Sequence, residues 1–185
     1  MEIVIILVVI VLLILLFVWA YNRLVRLRNA VQQAWHQIDV QLKRRYDLIP
    51  NLVETVKGAA SHERETLNAV TQARANAMAA EGKGAAERAQ AEADLSQSLV
   101  NLRATAEAYP ELRANENFGQ LQSELTGTED RIAYARQGYN SSILKYDNVR
   151  QAIPFNIIAG MGNFASFEYF EADPDNREPV EVDFS

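Results

Sequence analysis

The chain has 185 residues, a formal net charge of −6 at pH 7 and no cysteine. This composition excludes disulfides, thiolate metal sites and cysteine nucleophiles. The negative charge belongs to the end of the chain, because residues 164–185 carry seven acidic side chains and one arginine while the remainder sums to zero. A neutral body offers no clustered basic face, so we expect no nucleic acid as a partner.

An unbroken apolar run covers residues 3–20. At about 1.5 Å per residue it spans about 27 Å as a helix, close to the hydrocarbon thickness of a bilayer. The alternative is a cleavable secretory signal. Against it, the run exceeds the usual apolar region of about 7 to 15 residues, and Glu2 precedes it in place of a basic cluster. We therefore predict a transmembrane anchor over residues 3–20.

Aromatic and basic residues follow this run, as they do at membrane interfaces. The residues predicted to lie at the membrane interface are Trp19, Tyr21, Arg23, Arg26 and Arg28. Because only Met1 and Glu2 precede the run, the positive-inside rule predicts a single pass with the rest of the chain in the cytoplasm. Membrane lipid is the first expected partner.

Apolar residues recur every three or four positions through residues 31–60, which predicts one amphipathic helix. Pro50 lies within this stripe and would either kink the helix or leave Asp47 to cap a new one. The same periodicity predicts three further helices, at residues 63–80, 85–108 and 115–151. Since no strand pattern appears before residue 153, the predicted fold class is all-α.

The sequence contains little recognisable catalytic or metal-binding chemistry. Its two histidines, His36 and His62, lack further ligands at metal-site spacing. The Gly82-Lys83-Gly84 segment is too short for a phosphate-binding loop and lies between predicted helices. We predict no catalytic residue, no metal site and no cofactor, and a small-molecule-binding bundle or enzyme stays as a third hypothesis.

Polar side chains lie on or beside the apolar stripes at two places. These residues are Asp39, Arg44, Arg45, Asp47, Asn51 and Glu54 around Pro50, then Glu129, Asp130 and Arg131 in the last predicted helix. Opposite charges at these positions could pair across a bundle and fix its register. The alternative is a solvated face, and the sequence leaves both open.

Residues 153–170 form the largest apolar segment outside the anchor. This segment either folds back over an open end of the bundle or docks onto a neighbouring copy or the bilayer surface. The side chains predicted to make this oligomer or end-cap contact are Phe155, Ile157, Ile158, Phe164, Phe167 and Phe170. The predicted division is an anchor at 3–20, a bundle at 21–152, the apolar segment at 153–170 and an acidic, flexible end at 171–185.

Two long motifs resemble those of a known family. Residues 37–58 read QIDVQLKRRYDLIPNLVETVKG, and residues 114–118 and 121–133 read ANENF and LQSELTGTEDRIA, with Tyr139-Asn140 following. These segments resemble the signature motifs of the LemA family of bacterial membrane proteins. The resemblance implies one amino-terminal anchor that continues into an up-and-down bundle of four long antiparallel helices.

The resemblance also selects residues that would set the register of the bundle. They are Asp39, Arg44, Arg45, Asp47, Pro50, Asn51, Glu54, Asn115, Glu116, Asn117, Phe118, Glu129, Arg131, Tyr139 and Asn140. It implies no enzymatic activity. We expect a non-enzymatic scaffold that self-associates as a homo-oligomer at the bacterial inner (plasma) membrane. The alternative, which the resemblance implies, is an adaptor or regulator of another membrane protein, such as a membrane metallopeptidase.

Overall fold

The computed structural model describes residues 1–60 and 62–171. Its six helices follow the chain as α1 (Glu2–Ala59), α2 (Arg64–Ala79), α3 (Ala85–Glu107), α4 (Pro110–Arg113), α5 (Glu116–Gln151) and α6 (Phe155–Met161). No strand occurs within the described ranges. The predicted all-α fold, an apolar N-terminal helix followed by a helical bundle, is confirmed.

Helix α1 has 58 residues and continues through Pro50 without a break. Asp47 therefore lies inside a helix and does not begin a new one. The first part of α1 is long and apolar enough to cross a membrane, and only 6% of its most apolar stretch of 18 residues is buried. Side chains of residues 3–19 are 44–74% exposed, so the described chain leaves the apolar run uncovered.

The described chain divides into two compact units. Unit 1 consists of Met1–Asp39 and Tyr134–Phe167, which brings the start of α1 together with the end of α5 and with α6. Its core is formed by large side chains that are fully or almost fully buried: Leu24, Val31, Ile38, Ile143, Tyr146 and Phe164. Between α1 and α5 the rings of Trp35 and Tyr139 lie 5.0 Å apart.

Unit 2 consists of Val40–Ala133 and, at the end of the described chain, residues 168–171. Its core joins α1, α2, α3 and the start of α5 through buried side chains: Leu42, Ile49, Val56, Val70, Leu95, Leu102 and Ile132. A short turn after Ala80 leads from α2 to α3 and contains Gly82, whose φ of 83° suits glycine. Buried Ala77, Ala85 and Ala89 lie near this turn, where small side chains let two helices approach closely.

The predicted division into anchor, bundle, apolar segment and acidic end remains a prediction. The apolar segment contains α6, and its last residue, Phe170, is buried. Of the predicted acidic end, only Glu171 belongs to the described residues.

Candidate functional site

A buried network of charged side chains lies in unit 2. It begins with Arg45 and Tyr46, adjacent residues of α1 that are 2% and 5% exposed. They occupy the inward face of the helix because the stripe of Leu42 and Ile49 turns that face into the core. Helix α3 contributes Arg88, Glu92 and Ser96 to the network. Their spacing of four residues puts the three side chains on one face of the helix.

Arg45 connects three helices. Its Nη1 lies 3.5 Å from Oε2 of Glu92 on α3 and 3.2 Å from Oε2 of Glu129 on α5. Its Nη2 donates a 2.7 Å hydrogen bond to Oγ of Ser96. Ser96 in turn donates to Oε1 of Glu129 over 3.4 Å. One guanidinium group thus contacts side chains of both other helices.

Tyr46 completes the network from its second side. Its hydroxyl donates to Oε1 of Glu92, while its backbone carbonyl accepts a 2.8 Å hydrogen bond from Nε of Arg74 on α2. Burial raises the pKa of Tyr46, and the Glu92 carboxylate raises it further, so the phenol keeps its proton at physiological pH. Tyr46 is therefore a permanent donor to Glu92.

Glu92 is 5% exposed and accepts from Arg45 and Tyr46. Burial raises its pKa because desolvation disfavours the carboxylate more strongly than Tyr46, Arg45 and Arg88 favour it. Two arginines and two glutamates meet here, so the formal charges of the network cancel. Opposite charges paired in this way can fix the register of packed helices.

A cavity of about 220 Å³ opens beside the network, between α1, α3 and α5. Arg45, Ser96 and Glu129 lie at its polar end. The other walls are mostly apolar and include Leu52, Leu99, Val100, Leu102, Phe118 and Leu125. This cavity was not predicted from the sequence, because its wall is assembled from three separate helices. Among the described residues, no group of three or more His, Asp or Glu side chains could hold a metal ion.

A model of the LemA family matches residues 34–184 of the chain. The chain belongs to the LemA family. Magnetosome protein MamQ 2 of Paramagnetospirillum magneticum is 25% identical over 185 aligned positions, which cover 86% of this chain and 68% of that protein. Magnetosome protein MamQ of Magnetospirillum gryphiswaldense is 24% identical, with the same coverage.

Protein LemA of Metamycoplasma hominis is 25% identical over 170 aligned positions, covering 91% of this chain and 76% of that protein. None of these names states a reaction. The match to the LemA family contains both motifs, and the predicted family is confirmed.

The first LemA motif has two faces. Arg45 and Tyr46 point into the core, whereas Asp47, Pro50, Asn51 and Glu54 are exposed. The exposed positions follow helical spacing and therefore form one outer face. Beside the motif's inner face, Arg44 is half exposed and forms a 2.6 Å ion pair with Glu124 of α5. Asp39 is partly buried, and its Oδ2 lies 3.6 Å from Nδ1 of His36.

The second LemA motif begins with a helix cap. The side-chain oxygen of Asn115 accepts hydrogen bonds from the backbone N–H of Asn117 and Phe118 at 3.0 and 3.2 Å, directly before α5. This satisfies two of the donors that every helix start leaves free. Phe118 is buried, while Glu116 and Asn117 are exposed. Asn51 of the first motif and Asn117 of the second line one shallow depression.

The remaining motif residues lie further along α5. Arg131 is exposed, Glu129 reaches Arg45, and Asn140 is partly buried next to Tyr139. The structure therefore brings Arg45 and Glu129 together, as a register role requires, and leaves Asp47, Asn51, Glu54 and Arg131 at the surface. Whether these residues set the register in solution stays a prediction.

The residues predicted for the membrane interface all belong to unit 1. Trp19, Tyr21, Arg23 and Arg26 are exposed, and Arg28 is partly buried with its guanidinium 5.2 Å from the centre of the Phe164 ring. Of the six side chains predicted for the oligomer or end-cap contact, Ile158, Phe164 and Phe170 are buried, Phe155 and Phe167 are partly buried, and Ile157 is exposed.

Sequence reasoning missed Arg88, Glu92 and Ser96, and it treated Tyr46 as part of an apolar stripe. The spacing in the sequence could have indicated that these side chains are buried, because Arg88, Glu92 and Ser96 share one face of α3 with the buried Leu95. Glu168 was also missed, because it was counted only among the seven acidic side chains of residues 164–185. Its Oε2 accepts from the backbone N–H of Ala85 over 3.2 Å and so caps the start of α3.

Proposed function

We propose that this protein is a non-enzymatic scaffold that is anchored in the bacterial inner membrane and self-associates there. The observation that carries the proposal is helix α1, whose apolar run is exposed along its length and continues without interruption into the helix that carries Arg45. An apolar surface of this size needs a bilayer or a protein around it. The arginines after the run support a single pass with the bundle in the cytoplasm.

The chemistry of unit 2 supports a structural role. Within the buried network, Arg45 is paired with three oxygen atoms of its own chain: Oε2 of Glu92, Oε2 of Glu129 and Oγ of Ser96. The MamQ relatives are named after the magnetosome and not after a reaction. A member of this family is thereby associated with a cellular body, which is consistent with scaffolding.

The proposed contact between copies is the rim of the apolar cavity in unit 2. Val100 stands on this rim and is 60% exposed, although the side chains beside it form an apolar wall. A helix side chain from a second copy would cover Val100 and enter the cavity. Such a contact would bury apolar surface without disturbing the charged network.

The test is the particle mass of the full-length chain in mild detergent, measured by light scattering together with particle images. We expect a discrete assembly larger than a monomer, and a smaller mass for Val100→Lys. Asn101→Lys is the matched control, since Asn101 is the exposed polar neighbour on the same helix and its substitution should leave the mass unchanged. A monomeric full-length chain would exclude the self-associating scaffold.

Deleting residues 153–185 is a less selective test, because it removes the buried Ile158 and Phe164 from the core of unit 1. A chain that begins at Asn22 separates the contribution of the apolar run from that of Val100. An assembly that survives this truncation and is lost in Val100→Lys would place the contact on the bundle.

The second candidate is an adaptor for another membrane protein. The observation in its favour is the outer face of the first motif, where Asp47, Asn51 and Glu54 are exposed and Asn51 shares a depression with Asn117. A monomer that captures a membrane protein in stoichiometric amount would support this role. Loss of capture in Asn51→Ala/Glu54→Ala, with unchanged helicity, would assign the contact to this face.

A further inference from the structure

Helix α6 is attached to the end of the apolar run. The ring of Phe155, its first residue, lies 5.4 Å from that of Trp19. Just after the helix, the ring of Phe164 lies 5.5 Å from that of Tyr21 in an edge-on arrangement. These contacts lie within unit 1 and hold α6 at the level where the aromatic residues of α1 meet the membrane interface.

The segment around α6 is apolar on two sides. Phe155, Ile158 and Ala159 lie on one face by helical spacing and are partly or fully buried in unit 1. The other side carries Ile157 and Met161, which are 62% and 75% exposed, and Ile153 just before the helix is 81% exposed. The packing of unit 1 explains the first face and leaves the second uncovered.

The composition of the segment differs from that of an ordinary water-facing surface. Residues 151–167 contain no Asp, Glu, Lys or Arg in 17 consecutive positions. At the 23% charged content of the whole chain, about four charged residues would be expected there. Scattered exposed apolar residues are common on soluble proteins, but a long segment that combines them with an absence of charge is typical of an apolar contact.

We propose that the outer side of α6, formed by Ile153, Ile157 and Met161, lies in the boundary between the headgroups and acyl chains of the leaflet from which α1 emerges. The occupant is lipid because this surface is continuous, through the contact of Phe155 with Trp19, with the exposed apolar surface of α1. A membrane around α1 therefore reaches α6 at the same depth. Interfacial helices immerse their apolar side by about 5–10 Å in this way.

The neighbouring charges agree with this placement. Arg23 and Arg26 of α1 are exposed just beyond Tyr21, at the height where phosphate groups of the lipid headgroups would lie. The first acidic residue after α6 is Glu168, and it is directed to the backbone N–H of Ala85 in unit 2. The protein would thus contact the bilayer through α1 and through a second, shallow element.

The test uses single cysteines in the full-length chain, which has none of its own. Ile157→Cys carries a nitroxide label, and the protein is reconstituted in vesicles of phosphatidylcholine and phosphatidylglycerol. The accessibility of the label to oxygen, which enters lipid, is compared with its accessibility to a water-soluble nickel chelate. Phe17→Cys in the apolar run and Tyr134→Cys, whose parent side chain is 79% exposed on α5, serve as lipid and water references.

We expect the ratio of oxygen to nickel accessibility at residue 157 to exceed that at residue 134 several-fold and to approach that at residue 17. Asn156→Cys is the matched control on α6, because the adjacent position is turned by about 100° around the helix and should give a lower ratio. Equal ratios at residues 157 and 134 would overturn the proposal.

Contact with a second copy would also protect Ile157 from the nickel chelate, so a dilution experiment distinguishes the two occupants. Labelled protein is mixed with excess unlabelled protein and with excess lipid. A lipid contact predicts an unchanged ratio at residue 157 and no spin–spin broadening in undiluted samples. Broadening that dilution removes, or protection that is lost when lipid is added, would assign this surface to a second copy and refute the lipid contact.

Discussion

Replacing Glu92 by leucine tests the buried network most directly. The substitution removes the carboxylate that pairs with Arg45 and accepts from the Tyr46 hydroxyl. Arg45 then keeps Glu129 and Ser96, but the side chain of Glu129 is half exposed and solvates the buried guanidinium less well. The buried hydroxyl of Tyr46 loses Glu92, the acceptor of its hydrogen bond.

The expected cost follows from these losses. Removing one partner of a buried ion pair typically costs about 3–5 kcal/mol, because the other charge stays buried. For a chain of this size, each kcal/mol shifts Tm by about 2–4 °C, so Glu92→Leu should lower Tm by about 6–20 °C. Glu92→Gln keeps an acceptor for Tyr46 and should cost less, about 1–2 kcal/mol.

The assay is unfolding by heat and by urea in mild detergent, followed by far-UV circular dichroism. Glu87→Leu is the matched control on the same helix, because its parent side chain is 60% exposed and pairs with the surface residue Lys83. That variant should change stability by no more than about 0.5 kcal/mol. If Glu92→Leu were as stable as Glu87→Leu, the network would not hold the helices and the argument from burial would be wrong.

The pH dependence gives an independent check on Glu92. Because burial raises its pKa, the folded protein binds this proton more tightly than the unfolded chain does. The contribution of Glu92 to stability is therefore fully present below the ordinary glutamate range and is lost as the pH rises through the folded pKa. The stability advantage of the parent chain over Glu92→Gln should grow as the pH is lowered, and an advantage that shrinks would contradict the raised pKa.

Three further results are expected. Because the pKa of Tyr46 is raised above 10, its contribution is complete below pH 10 and declines above it, so urea midpoints of the parent chain should fall more steeply in alkali than those of Tyr46→Phe. Asn115→Ala removes the cap of α5 and should cost about 1 kcal/mol in urea unfolding, whereas Asn117→Ala should have little effect; equal costs would argue against the cap. Arg44 and Glu124 form a half-exposed pair, so a double-mutant cycle with alanine should give a coupling of about 0.2–1 kcal/mol that decreases in 1 M salt, and a larger, salt-resistant value would refute this assignment.

The long helices were predictable because the period of the apolar residues and the positions of helix-ending Gly and Pro residues indicate the same boundaries. The helices predicted at 63–80, 85–108 and 115–151 correspond to α2, α3 and α5, and no end differs by more than one residue. The short helices α4 and α6 were not predicted, since four and seven residues are too few for a helical period to be recognised. Pro50 left two alternatives open, and only the packing of the residues on either side of it decides between them.

The buried network was less predictable for a physical reason. A charged residue is normally solvated, and it enters a core only where partners from other helices neutralise it. The sequence shows Arg45 and Glu129 as candidates for pairing but does not show that Glu92 lies opposite both Arg45 and Tyr46. The cavity beside them likewise depends on the space left between three helices, which has no counterpart in the order of residues.

The position of Arg45 in α1 also has a consequence for synthesis. Arg45 leaves the ribosome long before its partners, since the chain must grow by about 84 residues before Glu129 exists. At about 5–20 residues per second, this takes roughly 4 to 17 s, and Glu92, the other charged partner of Arg45, is made after about 47 of these residues. The anchor would already be available for insertion at that time. If the proposed anchor inserts at this stage, nascent chains reach the membrane before the network of unit 2 is complete.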